Sequence, residues 1–476
     1  MAGFPKIAQL RSVERFTQRV QELGCVIPIE DKLLSAQEDS PLAQPLRMGK
    51  LQIGNRWAIH PMEGWDAQHD GSPSPLTLRR WRNFGESGAK WIWGGEAAAV
   101  RPDGRANPRQ TMAIPSNRQG LQQLLTTLIQ AHQQRMGSSD GLVVGLQLTH
   151  SGRFCKPNDN KRWEPRIMYH HPVLDEKYGL DTNNAQLLWT DTQLEDLIGD
   201  YVQAARLAAE AGYHFVDIKA CHGYLLHESL SAYSRPGRYG GHYSGRTRLL
   251  RSIIQAVRQE LPQLEVGVRL SLCDMPPFRQ GAECGEPVDT SHHLPYHFAF
   301  GCDPEKPTEL SMHEPIRLLQ DLKSDGVSAF NITLGSPYYT PHLQRPAIFP
   351  PSDGYQPPED PLVGVARHLD LCRKVRQAVP DVPYVGSGYT YLQEFLPLVA
   401  QATVRAGWID AVGLGRMVLS YPELPADSLE GKTPSRKRIC RTFSECTTAP
   451  RQGRISGCYP LDPFYKSGEA EQMSPQ

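Results

Sequence analysis

Read for its alternation of apolar and polar positions, the chain resolves into short apolar runs separated by longer stretches with helical spacing. Eight runs read as strands: Trp57–His60, Lys90–Trp93, Leu142–Leu148, Phe215–Lys219, Glu265–Leu270, Ala329–Thr333, Val382–Val385 and Ala411–Leu414. Pro61 cannot donate to a sheet ladder and marks the exit of the first. The clearest helical pattern runs from Thr192 to Ala211, where Leu194, Leu197, Ile198, Tyr201, Ala205 and Ala208 recur at helical spacing. Thr192 and Glu195 read as its capping box and Gly212 as its stop. Eight strands with intervening helices predict an α/β fold, a (β/α)8 TIM barrel, ahead of a doubly wound open sheet.

The pattern divides the chain into an N-terminal helical extension over residues 1–45, a barrel over 46–430 and a C-terminal cysteine-containing extension over 431–476. Two insertions break the rhythm, Met275 to Leu310 and Tyr338 to Pro361. Both follow strands, which predicts that both shape the substrate space at the catalytic mouth.

Face by face, several strands aim polar side chains inward. Gln147 shares a face with Gly145 and Thr149, and Arg269 with Gly267. Asp217 and Lys219 alternate with Val216 and Ile218, and His222 and Tyr224 follow at the strand's C-terminal end, where such barrels build their active sites. An unpaired buried amide alone costs about 2–7 kcal/mol, so these groups need partners. Asp217, Lys219, Arg269 and Gln147 could satisfy one another. A bound polar cofactor accounts for more: an amide to exchange hydrogen bonds with a heterocycle, a cation beside a ring position that turns anionic on reduction, and a phosphate site. Those requirements match FMN. Gly386-Ser387-Gly388 after strand seven and Gly413-Leu414-Gly415-Arg416 after strand eight supply the phosphate site, and the former lacks the third glycine of a dinucleotide fingerprint.

Charge narrows the partners. Across 476 residues Lys+Arg and Asp+Glu each number 51, which gives no electrostatic case for nucleic acid or an acidic membrane surface. No apolar run approaches the ~18 residues of a spanning helix. Ten scattered cysteines and a mixed-charge N-terminal segment without a secretory leader predict a reducing, cytoplasmic setting and a small-molecule substrate.

Asn55-Arg56 leading to Pro61-Met62-Glu63, Gln147-Leu148-Thr149-His150-Ser151-Gly152-Arg153, His222-Gly223-Tyr224-Leu225-Leu226, Arg238-Tyr239-Gly240-Gly241 and Gly413-Leu414-Gly415-Arg416 follow one another in family order. From about Leu46 to Pro425 the chain thereby resembles the old yellow enzyme family of flavin-dependent oxidoreductases. The resemblance implies that Gln147 and Arg269 contact the flavin ring, that backbone around Met62, Glu63 and Ala97 lines it, and that Gly386, Ser387, Gly388, Gly415 and Arg416 hold its phosphate. It implies NAD(P)H as reductant, His222 as one of two donors to a substrate oxygen, and Tyr224 as the residue that protonates substrate carbon.

Three positions depart from the family pattern. Lys219 stands where the second donor is usually histidine and offers a compact point charge instead. Glu63 stands where many relatives carry Thr or Cys, and a carboxylate there disfavours an anionic reduced flavin unless it is protonated or paired, for example with Lys219. Cys440, Phe443, Cys446 and Cys458 fall near the spacing of cluster ligands in the branch resembling trimethylamine dehydrogenase and 2,4-dienoyl-CoA reductase, with Phe443 in place of the second cysteine. The expectation is a metal-free relic in place of an iron–sulfur cluster, without that branch's appended nucleotide-binding domains. The paired histidines His170-His171 and His292-His293 read as solvated loop residues.

The combined expectation is an FMN-dependent, NAD(P)H-driven reductase of activated alkenes or related acceptors, with Lys219 and His222 polarising the substrate and Tyr224 donating the proton. Alternatives are a flavin-dependent amine or ring dehydrogenase or demethylase, a flavin-binding protein that has lost catalysis, and a lyase forming a Schiff base on Lys219 with Glu63 or Asp217 tuning it.

Overall fold

The eight predicted strands all form, as β1 Trp57–Ile59, β2 Trp91–Ile92, β3 Val143–Thr149, β4 Phe215–Ala220, β5 Glu265–Ser271, β6 Ala329–Thr333, β7 Tyr384–Gly386 and β8 Ala411–Leu414, in a computed structural model that describes residues 3–473. Expectations for residues 1, 2 and 474–476 lie outside the described residues. Each strand pairs in parallel with its neighbour, and β8 returns to β1 with Val412 opposite Trp57, so the sheet closes into the predicted barrel. β7 starts two residues later than predicted, beyond Pro383, which has no N–H for the ladder. A further short strand, Ala97–Ala99, runs beside the C-terminal end of β3.

Register decides what faces what inside. Gln147 on β3 lies opposite Asp217 on β4, and Lys219 on β4 opposite Arg269 on β5. Four polar residues therefore share one patch of wall at the C-terminal end of the barrel. The opposite end is plugged by Trp91, Trp93 and Phe215 under the hairpin Leu46–Met48/Leu51–Ile53. Outward, Val144, Leu146, Val216 and Ile218 bury against helix residues such as Leu194, Leu197 and Tyr201, each large apolar side chain stabilising by about 1.5–3 kcal/mol.

That helix spans Asp191–Ala211, with a cap two residues earlier than expected. Thr190 Oγ1 accepts the Gln193 N–H at 3.2 Å and Gln193 Oε1 accepts the Thr190 N–H at 3.0 Å. Glu195 is drawn away to Arg238. Gly212, at φ +98°, ends the helix in the left-handed conformation.

The N-terminal segment carries one full α-helix, Val13–Glu22, which buries Phe16 and Val20 in the barrel's own core and pairs Arg19 with Asp360 at 2.7 Å. The C-terminal segment folds back across the catalytic end. Its Ile455, Tyr459 and Tyr465 bury against Leu76, Arg79 pairs with Asp462 at 2.9 Å, and Trp65 N–H donates to Ser456 Oγ at 2.9 Å. Among the described residues no helix is long and apolar enough to cross a membrane.

Candidate active site

A cavity of about 350 Å³ opens at the C-terminal ends of the strands. Its floor is the register patch. Gln147 Nε2 donates to Asp217 Oδ2 at 2.6 Å, and the Arg269 backbone N–H donates to Asp217 Oδ1 at 2.7 Å. Burial outweighs these bonds and pushes the Asp217 carboxyl up to about 6. The internal network foreseen from sequence forms only in part. Arg269 reaches Pro61 O at 3.5 Å through Nη1, while its buried Nε has no hydrogen-bond partner among the described residues.

The wall is built by the turn after β4. His222 at φ +66° and Gly223 at φ +79° make a left-handed turn, a conformation that costs a non-glycine residue roughly 1 kcal/mol. It is held by His222 N–H to Ser271 Oγ (3.1 Å), Gly223 N–H to His227 Nδ1 (2.9 Å) and Ser336 Oγ to His222 O (2.8 Å). Beneath it Arg153 ties Glu228 to Asp175, so Glu228 is structural. The turn presents His222 and Tyr224 to the cavity.

Tyr224 donates its hydroxyl to Glu63 Oε2 at 2.8 Å and meets the Tyr338 hydroxyl at 3.0 Å. The Lys219 ammonium lies 3.7 Å from the centroid of the Tyr224 ring. Glu63 Oε1 receives a long contact from Asn107 Nδ2 at 3.5 Å, and Lys219 acts on Glu63 through space. Burial raises the Glu63 pKa, with Lys219 and Tyr224 opposing it. Burial likewise lowers Lys219, with Glu63 opposing, and lifts Tyr224 well above the ordinary phenol value, with Glu63 and Tyr338 adding to the rise. His222 is held well below the usual imidazole value by burial and by Arg269 and Lys219, so it is neutral; its Nε2 meets Gln344 Nε2 at 3.3 Å.

Two features of the site escape strand-by-strand reading. His60, at the end of β1, receives Asn331 Nδ2 on Nδ1 at 3.0 Å and meets Ser387 Oγ through Nε2 at 3.2 Å. Ser387 donates to Ile332 O at 2.6 Å, which makes Nε2 the protonated ring nitrogen of His60. Alternation along β1 and β6 was the available signal. The second feature is supplied by segments distant in sequence: Tyr338, Gln344 and Arg345 from the second insertion, and Thr447, Cys446 and Cys458 from the C-terminal segment, all line the cavity. No residue of the first insertion does; part of it forms a small hairpin, Phe278–Gln280 with Gly285–Pro287.

Of the residues singled out by sequence, Met62, Glu63, Gln147, Lys219, His222, Tyr224, Arg269, Ser387, Gly388, Gly415 and Arg416 reach the cavity together. Ala97 and Gly386 do not line it. The Ala97 N–H is held by Glu96 Oε1 at 3.2 Å and its carbonyl by Gln110 Nε2 at 2.7 Å, so both its backbone groups are taken. A side chain at Gly386 would stand 3.0 Å from Ile409, so that glycine serves close packing. Cys440 and Cys458 are buried and Cys446 is half-buried, while Phe443 is exposed against Phe349. Among the described residues no group of three His, Cys, Asp or Glu is placed to hold a metal ion. His171 is not solvated as expected: its Nδ1 caps the helix Pro172–Tyr178, and His170 pairs with Asp175 at 2.6 Å.

Over residues 41–290, just over half of the chain, the sequence matches the NADH:flavin oxidoreductase / NADH oxidase family. The chain belongs to that family. Membership makes the protein an FMN-dependent oxidoreductase supplied by NAD(P)H. It is 25% identical over 344 residues to NADH:flavin oxidoreductase FG08077 of Gibberella zeae, covering 69% of this chain and 71% of that one. It is 30% identical over 225 residues to the NADPH dehydrogenase of Bacillus velezensis, covering 46% of this chain and 60% of that one. Among solved structures, a 2-naphthoyl-CoA reductase in complex with 2-naphthoyl-CoA superposes with a TM-score of 0.64 at 18% identity, over 91% of this chain and 58% of that one. The likeness to that reductase is one of fold.

The cavity fits the family cofactor on its own chemistry. Arg269 brings an under-bonded guanidinium beside the Gln147 amide, the pair a flavin ring requires. At the other end Gly388 needs its φ of +93°, a Cβ at Gly415 would meet Met62 Sδ no nearer than 3.9 Å, and the buried Arg416 Nη1 lacks a partner among the described residues. Bare buried donors at one end and a polar floor at the other suit a ring joined to a phosphate.

Proposed function

We propose that this flavoenzyme reduces an activated alkene or a related small conjugated acceptor. The observation that carries the reading is the Tyr224 hydroxyl, on the cavity wall between Glu63 and Tyr338 with the Lys219 ammonium over its ring. FMN, held by Gln147, Arg269 and the glycine-lined end with Arg416, would supply the two-electron transfer from NAD(P)H to the acceptor. The side chains do the rest. Neutral His222 offers a hydrogen bond to the acceptor's oxygen, and Lys219 a positive charge against the negative charge that develops there. Tyr224 keeps its proton through the physiological range and releases it only to a strongly basic carbon, with the ammonium stabilising the phenolate left behind.

A planar substrate is favoured by the aromatic rim. Phe154 stacks on Tyr338 at 3.9 Å, and Trp163 and Tyr178 stand beside them. Lys219 as a Schiff-base nucleophile would leave Gln147, Arg269 and the glycine-lined end without a purpose. We take residues 46–430 as the catalytic barrel and the described part of the C-terminal extension, residues 431–473, as its cover. Balanced charge supports a small-molecule substrate and no nucleic acid, and ten free cysteines support a cytoplasmic setting. The test is anaerobic: protein loaded with FMN is bleached by NADPH and then offered 2-cyclohexenone or a larger enone. Return of the oxidised spectrum with saturated product supports the proposal, and reduced protein that no alkene reoxidises contradicts it.

A further inference from the structure

Two half-buried arginines converge at the phosphate end of the cavity. Arg345 comes from the insertion after β6 and Arg416 from the end of β8. Arg345 Nη1 donates to Thr447 Oγ1 at 2.6 Å, but its Nε and Nη2 are buried with no hydrogen-bond partner among the described residues. Arg416 Nη2 reaches only Pro346 O at 3.3 Å, and its Nη1 is likewise bare. Burial, Arg416 and Arg451 together push Arg345 down to about 9. An arginine keeps its proton in a protein, so the push marks a cation short of counter-charge. Arg451 is already paired with Asp353. The shortage lies at Arg345 and Arg416, and what satisfies two forks at once is an anion with several oxygens.

We propose that Arg345, steadied by Thr447 of the C-terminal segment, is a second arm of the FMN phosphate site beside Arg416, and that this segment is a strap that closes over the bound phosphate. The proposal rests on the flavin reading above. Thr447 is a positioning residue: it touches Arg345 and acts through it. The strap is fastened on both sides of that contact. Ser444 Oγ donates to Phe349 O at 2.7 Å, Ser352 N–H donates to Thr448 Oγ1 at 3.1 Å, and further on Ser456 Oγ receives Trp65 N–H at 2.9 Å. The C-terminal segment thus ties the insertion after β6 to the end of the cavity where the cofactor's charge would lie.

The phosphate itself supplies the control, because riboflavin carries the same ring without it. Full-length apoprotein is titrated with FMN and with riboflavin, following quenching of flavin fluorescence. Arg345→Ala is expected to weaken FMN about 10- to 100-fold and to leave riboflavin unchanged, with Arg345→Lys intermediate. Thr447→Val is expected to weaken FMN about threefold to tenfold with the same indifference to riboflavin. FMN, but not riboflavin, is expected to slow trypsin cleavage within residues 431–473. Equal losses for both flavins, or none, overturn the role of Arg345, as does a wild-type protein that binds FMN no better than riboflavin. A wild-type protein that takes up neither flavin overturns the flavin reading and this proposal together.

Discussion

The Lys219 ammonium lies 3.7 Å from the centroid of the Tyr224 ring, stacked on the phenol in place of an ion pair with Glu63. A desolvated cation on an aromatic face is worth about 2 kcal/mol. Because the phenolate attracts it more than the phenol does, Lys219 opposes the rise that burial, Glu63 and Tyr338 impose on Tyr224. Lys219→Met is therefore expected to slow reoxidation of reduced flavin by an enone at least roughly tenfold while leaving reduction by NADPH intact. Stopped-flow absorbance separates the two half-reactions. An equal slowing of both would place Lys219 in the general integrity of the site.

Glu63 works in the opposite sense. Its pKa is raised, chiefly by burial, so it carries a proton at pH values where an exposed glutamate has lost it. As pH rises through that pKa, the new carboxylate holds the Tyr224 proton at 2.8 Å and opposes a phenolate. Proton donation should slow as pH rises through the Glu63 transition, and Glu63→Gln should flatten that limb. A limb unchanged in the variant assigns the titration to another group.

Asp217 gives a stability prediction with a definite sign. Its folded-state pKa of about 6 stands above the unfolded value of about 3.9, so folding favours its protonated form. The stabilisation is complete below the unfolded value and is lost as pH rises through about 6. Apoprotein should lose roughly 2–3 kcal/mol of stability from this group between about pH 4 and 6.5. Asp217→Asn should remove that part of the slope in denaturant titrations at several pH values. The same slope in the variant would refute the assignment.

Much of this architecture was legible beforehand because it is local. Strand alternation placed all eight barrel strands, and parallel register then fixed Gln147 opposite Asp217 and Lys219 opposite Arg269. Family motifs marked His222 and Tyr224, which the left-handed turn presents to the cavity. What stayed hidden depends on long-range closure. Nothing near Thr447 signals that it meets Arg345, 102 residues away, or that Ser456 meets Trp65, 391 residues away. The two insertions looked equivalent in sequence, yet only the second lines the cavity, because Tyr338 follows β6 directly into the rim and stacks on Phe154. The early cap at Thr190 was missed since Thr192 offered the same chemistry two residues on.

The loop carrying Glu63 has a buried ionic support. Arg80 bonds Asp66 at 2.8 Å and Glu96 at 2.6 Å and donates to Met62 O at 3.2 Å. Removing the cation leaves two carboxylates buried together. Arg80→Leu is expected to destabilise the protein by about 3–5 kcal/mol, read from chemical denaturation, and to weaken FMN binding through displaced Met62 and Glu63. A variant of wild-type stability would show the triad to be dispensable.

The most direct test of Tyr224 as the proton source is a single turnover of Tyr224→Phe. Protein loaded with FMN is reduced anaerobically by one equivalent of NADPH and mixed with enone. The expected result is an unchanged reduction rate and a reoxidation rate lowered by about 10²–10⁴-fold. Reoxidation at the wild-type rate in the variant would contradict the account.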